Sequence, residues 1–225
     1  YGLLVWGELP SAYAFNEVSK ENLRSELKEM ISRDYNHPSI VAWVPINESW
    51  GVSDLPNDSS QREFLDELYF LTKKMDPTRL VISNDGWEHT TSDLFTIHDY
   101  ESKYDVLHER YQDINLLLNS KPGYKSLYCP NYKYKGEPVL VTEFGGISFV
   151  KDGTEGWGYS SAKSEADFEE RFSNVVKPIY DSPFVNGFCY TQLTDVEQEI
   201  NGLLTYDRVP KIPLSKIKKI ITNFK

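Results

Sequence analysis

Two glutamates carry the chemistry that this 225-residue sequence offers. Glu48 closes the run "IVAWVPINE" and Glu143 closes "VLVTE", so each places a carboxylate just past a β-rich apolar stretch. Two carboxyl groups flanking one bond are what glycoside cleavage needs. One is protonated and gives the leaving oxygen its proton; the other is ionised and meets positive charge at the anomeric carbon. Their surroundings must push the two acidities apart. Asn47 stands beside Glu48 with an amide able to bind a sugar hydroxyl, and Tyr100 can donate its phenolic hydrogen to Glu143. Either glutamate alone reads better as a solvated carboxylate or a salt bridge. The pair, with Asn47 and Tyr100, points to catalysis.

Other chemistries find little support. His37, His89, His98 and His108 show no HxH or HExxH spacing, so no metal site is expected. No GxSxG elbow and no Gly-rich phosphate turn occur, and no cofactor is expected. Cys129 and Cys189 are too few and too far apart for a disulfide framework. His37, in "NHP", reads as part of the turn from helix to strand.

The glutamates need elements to hold them. Short apolar runs recur at 3–6, 40–44, 80–82, 94–97, 139–142 and 185–190, continuous rather than alternating, as expected of strands buried on both faces of a parallel sheet. Between them lie helical stripes. Leu23, Leu27, Met30 and Ile31 share a face after Ser19, and Phe64, Leu68, Leu71 and Met75 share one after Ser60, where Glu63 completes a capping box. Phe168, Phe172, Val175, Val176 and Ile179 form a third stripe with Pro178 near its end, and Ile217, Ile220, Ile221 and Phe224 a last one. A less regular helix is expected over 105–118, and the link from Ile82 to Leu94 leaves room for only a very short one.

Strand followed by helix, repeated, predicts right-handed βαβ units in a parallel sheet. The residues just past each run are polar or aromatic: Glu8, Asn47-Glu48, Asp85 with Trp87 and Glu88, His98 with Tyr100, Glu143, and Tyr190. In an α/β barrel those ends converge on one mouth, where active sites are built, and strands three apart face each other across it. Asp85, Trp87, Glu8 and His98 are therefore candidate sugar contacts, alongside packing or salt-bridge roles. Lys211, Lys216, Lys218 and Lys219 read as a solvated face of the last helix.

The formal charge of −10 argues against nucleic acid or an anionic membrane as the main partner, and no run is long and apolar enough to span a bilayer. Aromatic residues at 14% fit a large aromatic core or a surface that stacks on sugars. The chain opens at Tyr1 inside a strand-like run, which reads as an excerpt; the compartment is left open, with the cytoplasm favoured.

"RDYNHPSIVAWVPINES" closely resembles the acid/base segment of glycoside hydrolase family 2, the β-galactosidases and β-glucuronidases. "YGLLVWGELP" looks like that family's third barrel strand, "PVLVTEFGG" its nucleophile strand, and "VNGFCYTQLTDVEQEINGLLTYDRVPK" its eighth strand and following loop. The resemblance implies a (β/α)8 TIM barrel, present as an incomplete barrel of about six βα units in a single domain spanning 1–225. The first two units and the preceding β-sandwich domains would be absent. It also implies a retaining β-glycosidase working by double displacement, with Glu48 as acid/base and Glu143 as nucleophile. Asn47 would bind the sugar 2-hydroxyl and Tyr100 would contact the nucleophile.

Three departures qualify the likeness. The Arg-x-x-His-Tyr-Pro segment of the second strand has no counterpart here. Tyr190 stands where many members carry a Trp as sugar platform; either it serves the same purpose with a smaller face or Trp157 takes over. The Asn-x-Lys that reads a uronic acid is replaced by "INGLLTYD", which disfavours glucuronides. The expected substrate is an oligosaccharide or other β-glycoside, most simply a β-galactoside. Alternatives are a non-catalytic carbohydrate-binding barrel and a retaining β-mannosidase or endo-glycanase type. The missing strands and sugar-site wall would leave the isolated chain weakly active or inactive, and unpaired edges at strands three and eight would favour a homo-oligomer.

Overall fold

A computed structural model describes residues 2–150 and 155–222. The chain divides into two compact units: residues 1–97 with 124–140, and residues 98–123 with 141–225.

In the first unit, β1 (Val5–Glu8), β2 (Ile40–Val44) and β3 (Leu80–Val81) pair in the parallel order β1-β2-β3. Helix α1 (Glu17–Asp34) links the first two strands and α2 (Ser59–Met75) the next. Leu23, Leu27 and Ile31 of α1 and Phe64, Leu65 and Leu68 of α2 are buried and share one core with Trp43 of β2. Both helices begin before the predicted points. Asn16 caps α1 by accepting the Ser19 N–H at 2.9 Å. Asp58, not a Ser60–Glu63 box, caps α2, because its carboxylate takes both the N–H and the hydroxyl of Ser60. The turn into β2 runs through His37, whose N–H donates to Asp34 O and whose carbonyl accepts from Ile40 N.

One buried cluster anchors the entry of β2. Trp43 is fully buried and its Nε1 donates to Asp76 Oδ2 at 2.9 Å. Asp76, also fully buried, accepts from Thr78 and from Arg79 Nη1 at 2.5 Å. Arg79 then donates to the carbonyls of Ile40, Tyr35 and His37. Burial alone would raise the pKa of Asp76, but the donors on Thr78, Trp43 and Arg79 win and hold it well below the usual carboxylate range. Gly7 on β1 lets Trp43 lie against the strand, since a Cβ there would sit 2.8 Å from the indole.

No helix forms between β3 and β4 (Phe95–Asp99), where a very short one was expected. Turns and single bridges (Ile82 with Ser92, His89 with Tyr128) carry the chain instead.

The second unit contains the ends of β4 and β5 (Val139–Phe144) together with β8 (Val185–Phe188), in a sheet of order β4-β5-β8. The expected helix at 105–118 is two helices, α3 (Tyr104–Arg110) and α4 (Ile114–Asn119), because Asp113 caps a fresh start by accepting the Asn115 N–H. Two strands that the sequence does not announce, β6 (Ile147–Phe149) and β7 (Ser160–Ala162), pair in parallel. Helix α5 (Glu165–Tyr180) is capped by Ser164 and buries its predicted stripe, with Pro178 in its last turn. Helix α6 (Leu214–Thr222) buries Ile217; Phe224 lies outside the described residues.

Lys216, Lys218 and Lys219 form the expected exposed face of α6, but Lys211 is not part of it. It precedes α6, is 1% exposed, and donates to Asp195 Oδ1 and Ile200 O, each at 2.7 Å. Asp195 also takes the Gly202 N–H at 2.8 Å, so the buried ammonium ties down the loop after β8.

Candidate active site

In the first unit the candidate residues cluster past the ends of β1, β2 and β3. Beyond β2 the chain stays tied to the next segment: Asp85 N donates to Ile46 O at 2.9 Å and Glu48 N to Asp85 O at 3.0 Å. It then turns sharply. Glu48 and Ser49 both take left-handed backbone conformations, φ 51° and 59°. For residues with a Cβ, that conformation costs roughly 1–2 kcal/mol each, so the surroundings must enforce it. Ser49 supplies the enforcement. Its N–H donates to Asn84 Oδ1 at 2.9 Å, and its hydroxyl donates to Glu88 Oε2 at 2.6 Å while accepting from Asn84 Nδ2 at 3.0 Å.

Asn47 Oδ1 is buried and has no hydrogen-bond partner among the described residues. A buried amide oxygen of that kind is suited to a ligand hydroxyl. Asp85 is 2% exposed, and its Oδ2 accepts from Trp6 Nε1 at 2.9 Å, which ties it to β1. Glu8, at the end of β1, is exposed, and Trp87 is half-buried with its carbonyl bound by Asn84 Nδ2. Trp50 follows the turn and meets Tyr13 edge-on, ring centroids 5.6 Å apart.

The second unit builds around Glu143. The Tyr100 hydroxyl donates to Glu143 Oε2 and lies 3.4 Å from Thr191 Oγ1, while His98 Nδ1 stands 3.6 Å from the same carboxylate oxygen. Burial first, and then the negative charge of Glu143, push the Tyr100 pKa far above its ordinary value, so the phenol keeps its proton and acts as a donor. His98 is fully buried and is the penultimate residue of β4, two before Tyr100.

Tyr159, which no motif or spacing in the sequence singles out, stacks flat on Tyr100 with centroids 3.5 Å apart and planes 5° from parallel. Trp157 meets Tyr159 edge-on at 5.6 Å, and both rings are about half exposed. Gly146 makes the stack possible: at φ 56°, a Cβ there would lie 2.4 Å from Tyr159 and 3.0 Å from Tyr100. The "GG" at 145–146 was the only advance signal of this crowding. The Tyr190 ring packs edge-on against Phe144 and Phe172, with Gly145 against its side.

The chain matches the profile of the glycosyl hydrolases family 2 TIM barrel domain over residues 7–225. It belongs to that family. Among curated relatives, a putative β-glucuronidase of Formosa agariphila is 31% identical over 172 residues, covering 74% of this chain and 19% of the relative. A β-galactosidase of Thermoanaerobacterium thermosulfurigenes is 33% identical over 147 residues, covering 64% of this chain and 18% of the relative. Among solved structures, a family 2 β-galacturonidase from Eisenbergiella tayi bound to galacturonate superposes with a TM-score of 0.72 at 21% identity, over 99% of this chain and 41% of that one. This family 2 chain therefore has the family's α/β barrel fold, as an incomplete barrel. It spans about a fifth of the length of those curated relatives.

Proposed function

We propose that this family 2 chain carries the catalytic glutamates of a retaining β-glycosidase that hydrolyses terminal β-galactosides or a related β-glycoside. In the first step Glu143 attacks the anomeric carbon and forms a glycosyl ester, while Glu48 protonates the departing oxygen. In the second, Glu48 as carboxylate takes a proton from water, which displaces Glu143 and restores both groups. Asn47 holds a sugar hydroxyl, and the half-exposed Trp157–Tyr159 pair offers the sugar an aromatic face in place of Tyr190.

The observation that carries this reading is the Tyr100 donor set on Glu143, with His98 beside it. A carboxylate gripped by a phenol that cannot ionise is oriented for attack and kept from acting as a base on its neighbour. The preference for a neutral sugar rests on the loop after β8. Asn201 there is fully buried, accepting from Gln192 at 2.6 Å and donating to Glu199 at 3.1 Å, and Leu203 stands where a lysine would be needed for a uronate. Relatives named β-glucuronidase favour a second reading, a β-uronide as substrate.

A panel of aryl β-galactoside, β-glucoside, β-mannoside, β-glucuronide and β-galacturonide, offered to the protein expressed from its complete reading frame, tests both. The expected result is turnover of the galactoside, abolished in Glu143→Gln. Activity surviving that change removes the mechanism, and a preference for either uronide removes the neutral-sugar assignment.

A further inference from the structure

Glu88 takes no part in the chemistry above, yet it is a carboxylate 2% exposed to solvent. Its Oε2 accepts the Ser49 hydroxyl at 2.6 Å, and both of its oxygens lie 3.3–3.4 Å from Lys125 Nζ. The segment bearing it is itself pinned. Glu88 N donates to Ser126 O and His89 N to Leu127 O, both at 2.9 Å, and Cys129 Sγ donates to Glu88 O at 3.0 Å. Glu88 also sits in the left-handed region, φ 47°. A rigid, charge-compensated carboxylate thus grips the residue immediately after Glu48.

We propose that Glu88 is a positioning residue for the proton donor: through Ser49 it locks the left-handed turn that aims the Glu48 carboxyl at the leaving-group oxygen. This rests on the reading of Glu48 as acid/base. Asn84 also holds Ser49, but through neutral hydrogen bonds. Glu88 makes the charge-assisted bond, shorter and stronger, and it fixes the hydroxyl as donor so that its lone pairs face Asn84 Nδ2. Two adjacent left-handed residues relax readily once such a contact is lost, and a donor displaced by about 1 Å costs on the order of 100-fold in rate. A purely stabilising Glu88–Lys125 ion pair would have no such selective effect.

The test compares kcat/KM for a phenyl and a 2,4-dinitrophenyl β-glycoside of the sugar that the panel selects, in the protein from its complete reading frame. The dinitrophenolate leaves without a proton; the phenolate needs one. Glu88→Gln and Ser49→Ala are each expected to lose about 10- to 100-fold on the phenyl glycoside and less than about 3-fold on the dinitrophenyl one. Adding Glu88→Gln to Glu48→Ala is expected to cost nothing further. Equal losses on both substrates, or additive losses with Glu48→Ala, overturn the proposal. If Glu48→Ala alone loses equally on both substrates, Glu48 is not the proton donor and both readings fall together. If Glu88→Gln lacks the native circular dichroism and melting transition, Ser49→Ala decides, because it leaves the Glu88–Lys125 pair in place.

Discussion

Replacing Asp76 by Asn tests the clamp that seats the strand leading to Glu48. The carboxylate is fully buried and takes hydrogen bonds from Trp43 Nε1, from Arg79 Nη1 and from Thr78. An amide keeps one acceptor oxygen and turns an NH2 toward donors, and it leaves Arg79 uncompensated. Breaking a buried pair in this way costs about 3–5 kcal/mol at pH 7. The pH dependence is the sharper signature. Asp76 is held well below the usual carboxylate range in the folded chain, while its unfolded value is about 3.9. A depressed folded pKa contributes stability above the unfolded pKa and loses it as the pH falls. At pH 3 the folded carboxylate is still ionised while the unfolded one takes up a proton, which removes about 1.3 kcal/mol of the wild-type advantage. Urea unfolding of wild type and Asp76→Asn, followed by tryptophan fluorescence at pH 7 and pH 3, measures both figures. A difference below about 1 kcal/mol at pH 7, or one that does not shrink at pH 3, refutes the account of the clamp.

Two other outcomes are expected. Gly145→Ala forces a Cβ to within 2.2 Å of the Tyr190 ring at a φ of +89°, so a loss of roughly 2–5 kcal/mol should lower the melting temperature by at least about 4 °C; an unchanged melting curve contradicts the packing described for Tyr190. Burial, reinforced by the charge of Glu88, pushes the Cys129 thiol up to about 12, whereas Cys189 is exposed. Alkylation at pH 8 should therefore mark Cys189 alone in the native protein and both cysteines in urea, and native labelling of Cys129 counts against the arrangement around Glu88.

Strand–helix alternation was legible because it is local. Continuous apolar runs mark β2, β4 and β5, and the stripes of α1, α2 and α5 repeat at helical spacing and face the core, with Met30, Leu71 and Met75 only partly buried. Helix starts were misjudged at Asn16 and Asp58, since any of several nearby polar residues can cap and only the folded backbone selects one. The parallel pair β6 and β7 escaped notice because strands of three residues carry too little pattern. Lys211 misled for a different reason: its charge predicts solvent, and only Asp195, sixteen residues before it, makes burial tolerable.

By itself the sequence determined the family, most of the long elements, and the placing of Glu48 beyond β2 and of Glu143 at the carboxyl end of β5. These follow from periodicity and from motifs contiguous along the chain. Only the tertiary structure decided what holds each group. Tyr159 reaches Tyr100 across 59 residues, and Glu88 reaches Ser49 across 39. Such contacts depend on backbone turns through left-handed residues and on space left by Gly146, neither of which leaves a periodic trace in the sequence. Residue types in a strand end announce that chemistry is available; the angle at which a carboxylate is presented is set by neighbours that folding brings from elsewhere.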